Sequence, residues 1–222
     1  MTRQDAVRNR ARLVEAAREV FAERGVSATL DDVAAHAGVG TGTAYRHFRD
    51  KHELAGEVLA GATEAIVQDA RRALAIEDPW AALVAFFVAT GERQVADRGL
   101  YQALAGQGRA EDKVRLWPDI AASVSALVDR ARGAGVVRPD VAAEDVATVF
   151  AMLGPVLDLS VRTGTDLWRR YLALLLDGLR ATDRDALPVP PPSFDSLDDV
   201  IAAGKPDHRP RPAARSSVRR RG

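Results

Sequence analysis

At 222 residues with 47% hydrophobic content, the chain can bury a sizeable core, and its length permits one large domain or a small one attached to a larger one. Cysteine is absent, which excludes disulfides, thiolate metal sites and a cysteine nucleophile. The 31 basic and 31 acidic residues cancel but are unevenly spread: nine against seven in residues 1–51, seven against one in 205–222, and fifteen against twenty-three between, so the two ends can face phosphate while the middle cannot.

A first helix is predicted from Asn9 to Arg24, with Leu13, Ala16, Ala17, Val20 and Phe21 on one face and Gly25 as its stop. Around its start, Arg3, Arg8, Arg10 and Arg12 lie on a segment with little to bury. This segment reads either as an arm for a minor groove or as a frayed terminus. Thr29 and Asp32 then have the spacing of a capping box. Leu30, Val33, Ala34 and Ala37 follow at i, i+3, i+4 and i+7, a helix too short to stand alone. Gly38 comes directly after, where a left-handed backbone costs no Cβ clash, and Val39 packs into the angle. The next helix starts near Gly40 or Thr41. Ala44 and Phe48 face inward, Thr41, Gly42, Thr43, Arg46 and His47 face outward, and Tyr45 lies beside both faces with its ring partly buried. Two short helices around a tight glycine turn form a helix-turn-helix, which makes duplex DNA the expected partner. Thr41 and Thr43 offer hydroxyls for hydrogen bonds and methyls for thymine, and Gly42 between them allows close approach.

A fourth helix from Asp50 or Lys51 toward Ala75 carries Leu54, Val58, Ala62 and Ile66 and connects this head to the rest. Pro79 opens a fifth, through Leu83, Phe86, Phe87 and Thr90 to about Ala96. A short helix near Leu100–Gln107 and a segment ending at Trp117-Pro118 precede a longer helix, Asp119 to Arg132; Gly133-Ala-Gly135 and Arg138-Pro-Asp140 break the chain. Val146, Val149, Phe150, Leu153, Val156 and Leu157 mark another helix, kinked at Gly154-Pro155. Thr165 or Asp166 caps the last, which runs to about Ala181. It carries Leu167, Trp168, Tyr171, Leu172, Leu174, Leu175, Leu176 and Leu179, apolar nearly all round, so it must be covered on more than one side. No segment alternates convincingly, so no sheet is expected.

The run Gly38-Val-Gly-Thr-Gly-Thr-Ala-Tyr-Arg-His-Phe48, followed by Asp50-Lys51-His-Glu-Leu54, resembles the signature of the tetracycline-repressor (TetR) family. So does the approach to it, Leu13-Val-Glu-Ala-Ala-Arg-Glu-Val-Phe-Ala-Glu-Arg-Gly25. The close match covers roughly residues 8–60; Ala-Gly-Val-Val-Arg138-Pro-Asp140 and Arg169 to Leu179 resemble one branch of the family more loosely. The resemblance implies that the second motif helix enters the major groove, and that a larger all-helical domain dimerises and binds a small molecule that releases DNA. It assigns phosphate contacts to Tyr45, His47 and Lys51, to which Thr29 adds its hydroxyl or the backbone N–H groups behind it. Arg46 faces outward beside them. It puts Phe86, Phe87, Tyr101, Leu104, Trp117, Leu127, Val149, Phe150, Met152 and Leu153 on segments that line a ligand cavity, a polar-poor set suited to an apolar or aromatic inducer. The same residues also read as plain core. A four-helix dimer interface falls on Val146, Leu153, Leu157, Trp168, Tyr171, Leu172, Leu175 and Leu179, with complete burial in one monomer as the alternative.

Catalysis has little to start from. Gly38-Val-Gly-Thr-Gly42 follows a helical pattern rather than a strand, so it is not a dinucleotide fingerprint, and there is no Gly-x-Ser-x-Gly elbow or lysine-bearing phosphate loop. A metal site at His47 and His52 lacks a third ligand. No window approaches about 18 consecutive apolar residues, and no apolar run follows the basic start, so a cytoplasmic protein without membrane or cofactor is expected. The expectation is therefore an all-α chain with a DNA-binding domain at 1–50, a regulatory and dimerisation domain at 51–185, and a Pro/Arg-rich, disordered tail at 186–222. Functionally it reads as a homodimeric repressor released from a palindromic operator by a small molecule. The alternative is a ligand-independent DNA-binding protein controlled by a protein partner or serving an architectural role.

Overall fold

The computed structural model describes residues 3–24, 27–97, 110–181 and 185–191, with backbone alone for Arg3 and for 110–117. The described residues form helices α1 (Arg3–Arg24), α2 (Leu30–Ala37), α3 (Thr41–His47), α4 (Lys51–Leu74), α5 (Pro79–Ala96), α6 (Ala110–Gly133), α7 (Ala143–Thr163) and α8 (Leu167–Leu179). Among them there is no strand. A lone antiparallel bridge joins Val137, between α6 and α7, to Arg180 at the end of α8.

Two hydrophobic cores organise these helices. In the head, Leu13, Ala17, Val20 and Phe21 of α1 meet Leu30 and Val33 of α2, Ala44 and Phe48 at α3, and Leu54, Ala55 and Val58 of α4. In the body, Ala70 and Ala73 at the other end of α4 pack with α5 (Leu83, Phe86, Phe87), α6 (Val124, Leu127, Val128), α7 (Val146, Val149, Leu153, Leu157) and α8 (Trp168, Leu172, Leu176). α4 is thus the one described helix that contributes buried residues to both cores.

The elements end where side chains take up the orphan backbone groups of helix termini. Asp50 Oδ1 accepts from the N–H groups of His52 and Glu53 at 2.9 Å. Asp78 accepts from Ala81 N–H at 2.6 Å behind the N-terminal Pro79, and Asp145 accepts from Ala142 N–H at 2.8 Å. At the far end of α4, the Arg130 guanidinium donates to the carbonyls of Leu74 (2.8 Å), Ile76 (2.6 Å) and Glu77. That contact puts a cation at the negative end of the helix dipole.

Three sequence expectations change. α1 begins at Arg3, six residues before Asn9; inside the expected helix, Arg10 stacks on Phe48 (4.6 Å to the ring centroid) and pairs with Glu57 at 3.0 Å, while Arg12 donates to the Ala37 carbonyl at 2.5 Å. α6 runs through Pro118 instead of starting after it; Pro118 is exposed, so its missing ladder bond falls on the side of the helix open to water. Neither Thr165 nor Asp166 caps α8 with its side chain. Thr165 bonds Thr163 at 2.8 Å, and the Trp168 N–H instead donates to Ser160 Oγ on α7 at 3.0 Å. The expected helix at 100–107, with Tyr101 and Leu104, and residues 192–222 lie outside the described residues, and Trp117 is described by its backbone alone. α7 is long and apolar enough to cross a membrane by composition alone, yet its Leu153 and Leu157 belong to the body core.

Candidate nucleic-acid interface

α2 is held by its predicted box. The Thr29 hydroxyl donates to Asp32 Oδ2 at 2.6 Å and accepts from Asp32 N–H at 3.1 Å, and the Asp32 carboxylate accepts from Thr29 N–H at 3.0 Å. These bonds hold the Asp32 carboxyl below its ordinary range, the Thr29 hydroxyl and N–H acting most strongly and Arg24 at 2.6 Å adding to them. The hydroxyl proton is therefore engaged. The N–H groups of Leu30 and Asp31, in the first turn of the helix, are left without intrahelical acceptors.

Gly38 has φ 62°, and the Val39 N–H bonds back to the Ala34 carbonyl at 2.9 Å, which closes α2 and aims the chain into α3. A Cβ at Gly38 would be strained by that φ and would also stand 3.2 Å from the Arg12 guanidinium. Gly40 precedes α3 without a side-chain cap, so Thr41, Gly42 and Thr43 occupy the first turn, with Thr41 and Gly42 exposed and Thr43 half-buried. A Cβ at Gly42 would meet nothing within 4 Å. The glycine is thus not required by packing among the described residues. Behind this turn Ala44 and Phe48 are fully buried, so α3 is fixed by its inner side while its outer side is open.

Around that helix Tyr45 is half-exposed, Arg46 is exposed, and Lys51 starts α4 immediately beyond. His47 is half-buried with its Nε2 covered and unpartnered, so a phosphate contact from this ring falls to Nδ1. Arg49 is occupied: its guanidinium meets Glu53 at 3.2 Å and its N–H donates to the same carboxylate at 2.7 Å. The two bonds, the backbone one first, hold Glu53 below the usual carboxylate range. His36 contacts Glu19 at 2.6 Å. The set Thr41, Gly42, Thr43, Tyr45, Arg46 and Lys51 lies together on α3 and the start of α4. Arg10 and Arg12, grouped by sequence with a DNA arm, instead brace the motif from behind.

Residues 13–58 match the model for bacterial regulatory proteins of the tetR family, and residues 78–181 match the C-terminal domain model of SbtR-like transcriptional regulators. A crystal structure of the TetR transcription regulatory protein from Mycobacterium vanbaalenii is 35% identical, covers 80% of this chain and 98% of its own, and has a TM-score of 0.55. The chain belongs to the TetR family. It is a DNA-binding transcriptional regulator, with the head at 13–58 as its helix-turn-helix domain. The transcriptional repressor KstR2 of Mycobacterium tuberculosis is 29% identical over 194 residues, 77% of this chain and 92% of that one. The regulator SrpR of Pseudomonas putida is 35% identical over 118 residues, 51% of this chain, a stretch that spans 55% of SrpR's length.

In this TetR-family body, Phe86 and Phe87 meet edge-on at 6.0 Å, Phe150 stacks on Phe87 at 5.2 Å, and Leu127, Val149 and Leu153 are buried with them. Met152 points away from that cluster, 53% exposed. A cleft of about 130 Å³ lies elsewhere, between α4 and α5, lined by Asp69, Arg72, Ala73, Ile76, Ala85 and Ala89. The expected interface residues divide in the same way. Val146, Leu153, Leu157, Trp168 and Leu172 are buried within the single chain, Leu175 and Leu179 are half-buried, and Tyr171 is 44% exposed. Leu174 (59% exposed), missing from the sequence-based interface set, lies beside Tyr171 on the open side of α8.

Proposed function

We propose that the chain is a homodimeric repressor that binds a palindromic operator in the cytoplasm and leaves it when a small apolar molecule occupies the body. The observation that carries the reading is the first turn of α3: Thr41 and Gly42 stand open and Thr43 half-open on a helix whose other side, Ala44 and Phe48, is locked in the head core. Such a turn meets base edges, while the Leu30 and Asp31 N–H groups, Tyr45 and Lys51 meet phosphate on either side.

Dimerisation is supported by the apolar strip left over once the body core is packed. Met152 and Leu159 of α7 are exposed on a flank next to its core face, as are Tyr171 and Leu174 of α8. A second copy brings the same strip, which closes a two-fold interface and sets the two heads for half-sites about one helical turn apart, roughly 34–36 Å. Induction is supported by the Phe86, Phe87 and Phe150 cluster, and by α4, which carries the head at one end and packs in the body at the other. The neighbour KstR2, 27% identical with a TM-score of 0.55, is described as a ketosteroid transcriptional regulator, in keeping with an apolar ligand.

The test is selection from a randomised inverted-repeat library, followed by titration of the enriched duplex across salt. Enrichment of one palindrome, two protomers per duplex and a steep loss of affinity with salt are expected. Enrichment of nothing, or binding by a single protomer, overturns the reading.

A further inference from the structure

Among the described residues Asp69 of α4 is the one buried carboxylate, 3% exposed, and two cations share it. Arg93 of α5 grips it through three contacts of 3.0–3.1 Å that engage both oxygens. That fork by itself satisfies the ion pair between the two helices. Arg72, one turn further along α4, adds a contact to the same carboxylate through one terminal nitrogen. An exposed pair at this spacing adds little to stability, and the Arg72 side chain is 65% exposed. A guanidinium carries five N–H donors, so most of those of Arg72 are left for the cleft that it lines between α4 and α5.

The other walls of that cleft are apolar, Ala73 and Ile76 from α4 and Ala85 and Ala89 from α5. Alanine at three of these four places leaves about 130 Å³ unfilled, close to the ~150 Å³ in which an apolar cavity holds a benzene ring. The charge at the rim is unbalanced as well. Two guanidiniums stand around one carboxylate, which leaves one positive charge. The last carbonyls of α4, the negative end of the helix, are already covered by Arg130 at 2.6–2.8 Å. We propose that this cleft binds a small organic acid, its carboxylate on Arg72 and an apolar body of about six carbons against Ala73, Ile76, Ala85 and Ala89. The site is separate from the Phe86, Phe87 and Phe150 cluster, and it does not rest on the repressor reading. Because Arg93 keeps its hold on Asp69, a ligand can take Arg72 without leaving a buried charge unpaired.

The experiment titrates benzoate and its uncharged isostere benzamide into the full chain by calorimetry at constant ionic strength. Benzoate is expected to bind one site per chain with a Kd on the order of 1 mM, an affinity within reach of a ligand of this size. Benzamide is expected to bind at least about tenfold more weakly, since it cannot form the charge-assisted fork. Arg72→Gln is expected to weaken benzoate by about tenfold and to leave benzamide unchanged, with the melting temperature of the free protein within about 2 °C of the wild type. Ala89→Leu fills the cleft from α5 and is expected to abolish binding of both. Equal affinity for benzoate and benzamide overturns the proposal, as does no benzoate binding at about twentyfold the expected Kd. Benzoate affinity that survives Arg72→Gln, or that survives a folded Ala89→Leu, places the ligand elsewhere and overturns it too. Arg72→Gln decides the matter even where Ala89→Leu fails to fold.

Discussion

Replacing Gly91 with alanine sets two effects of opposite sign against each other, and the structure decides between them. Helix propensity alone makes the change stabilising by about 1 kcal/mol, since Gly91 lies inside α5. A Cβ at this position, however, would stand within 3.1 Å of three ring carbons of Trp168. The indole cannot retreat easily: it is 1% exposed in the body core, its own N–H backbone group is bonded to Ser160 Oγ at 3.0 Å, and the Arg169 guanidinium lies 4.5 Å from its ring centroid. Overpacking against a fixed aromatic costs about 1–3 kcal/mol and here takes the upper part of that range. The net expectation is a loss of about 1–2 kcal/mol, which for a chain of this size lowers the melting temperature by roughly 2–8 °C. Urea unfolding followed by circular dichroism measures it, with the midpoint moving and the slope constant. In a Trp168→Leu background the clash is gone and the sign reverses, so Gly91→Ala becomes neutral or stabilising. A higher midpoint for Gly91→Ala in the wild-type background would refute the reasoning.

On DNA, Thr43→Ala is expected to change base preference at one position per half-site, by about 1 kcal/mol or more. Lys51→Ala weakens all duplexes alike and reduces the salt slope by about one, read by fluorescence anisotropy across salt; a sequence-dependent Lys51 effect would contradict its assignment to phosphate. Leu174→Asp is expected to give folded monomers by sedimentation with operator binding lost. Leu153→Asp instead unfolds the body, because Leu153 is 1% exposed within its own protomer; a folded monomeric Leu153→Asp would show that the core has been misread. The carboxyls of Asp140, Asp32 and Glu53 are all held below their ordinary values, Asp140 chiefly by the Arg138 guanidinium and then by the Leu187 N–H. Their unfolded forms therefore take up protons first, and the stability they contribute is complete above the ordinary carboxylate range and is lost as pH falls through it, from about pH 5 downward. Asp140→Asn should flatten that acid limb in urea unfolding at pH 3–7, and an unchanged limb would count against the Arg138–Asp140 linkage.

What could be read in the sequence follows the distance over which each element is determined. The α2–α3 motif was legible because its causes are local: the Thr29–Asp32 box, the left-handed Gly38 and the inward Ala44 and Phe48 all act within twenty residues. The role of Arg10 was not, because the partners that hold it, Phe48 and Glu57, stand 38 and 47 residues away. The same limit explains α8. An apolar pattern nearly all round a helix says that more than one side must be covered, but not which arc its own chain covers. Packing answers this by subtraction: Trp168, Leu172 and Leu176 are spent on the body core, the indole lying against Gly91 where a Cβ would collide with it. Tyr171 and Leu174 remain, and with Met152 and Leu159 of α7 they keep apolar area in water that a second copy would remove. Of the interface residues expected from the sequence, Leu153 and Trp168 are spent inside the chain's own core, whereas Tyr171 stays exposed, so a partner copy would be met through the residues that this packing leaves over.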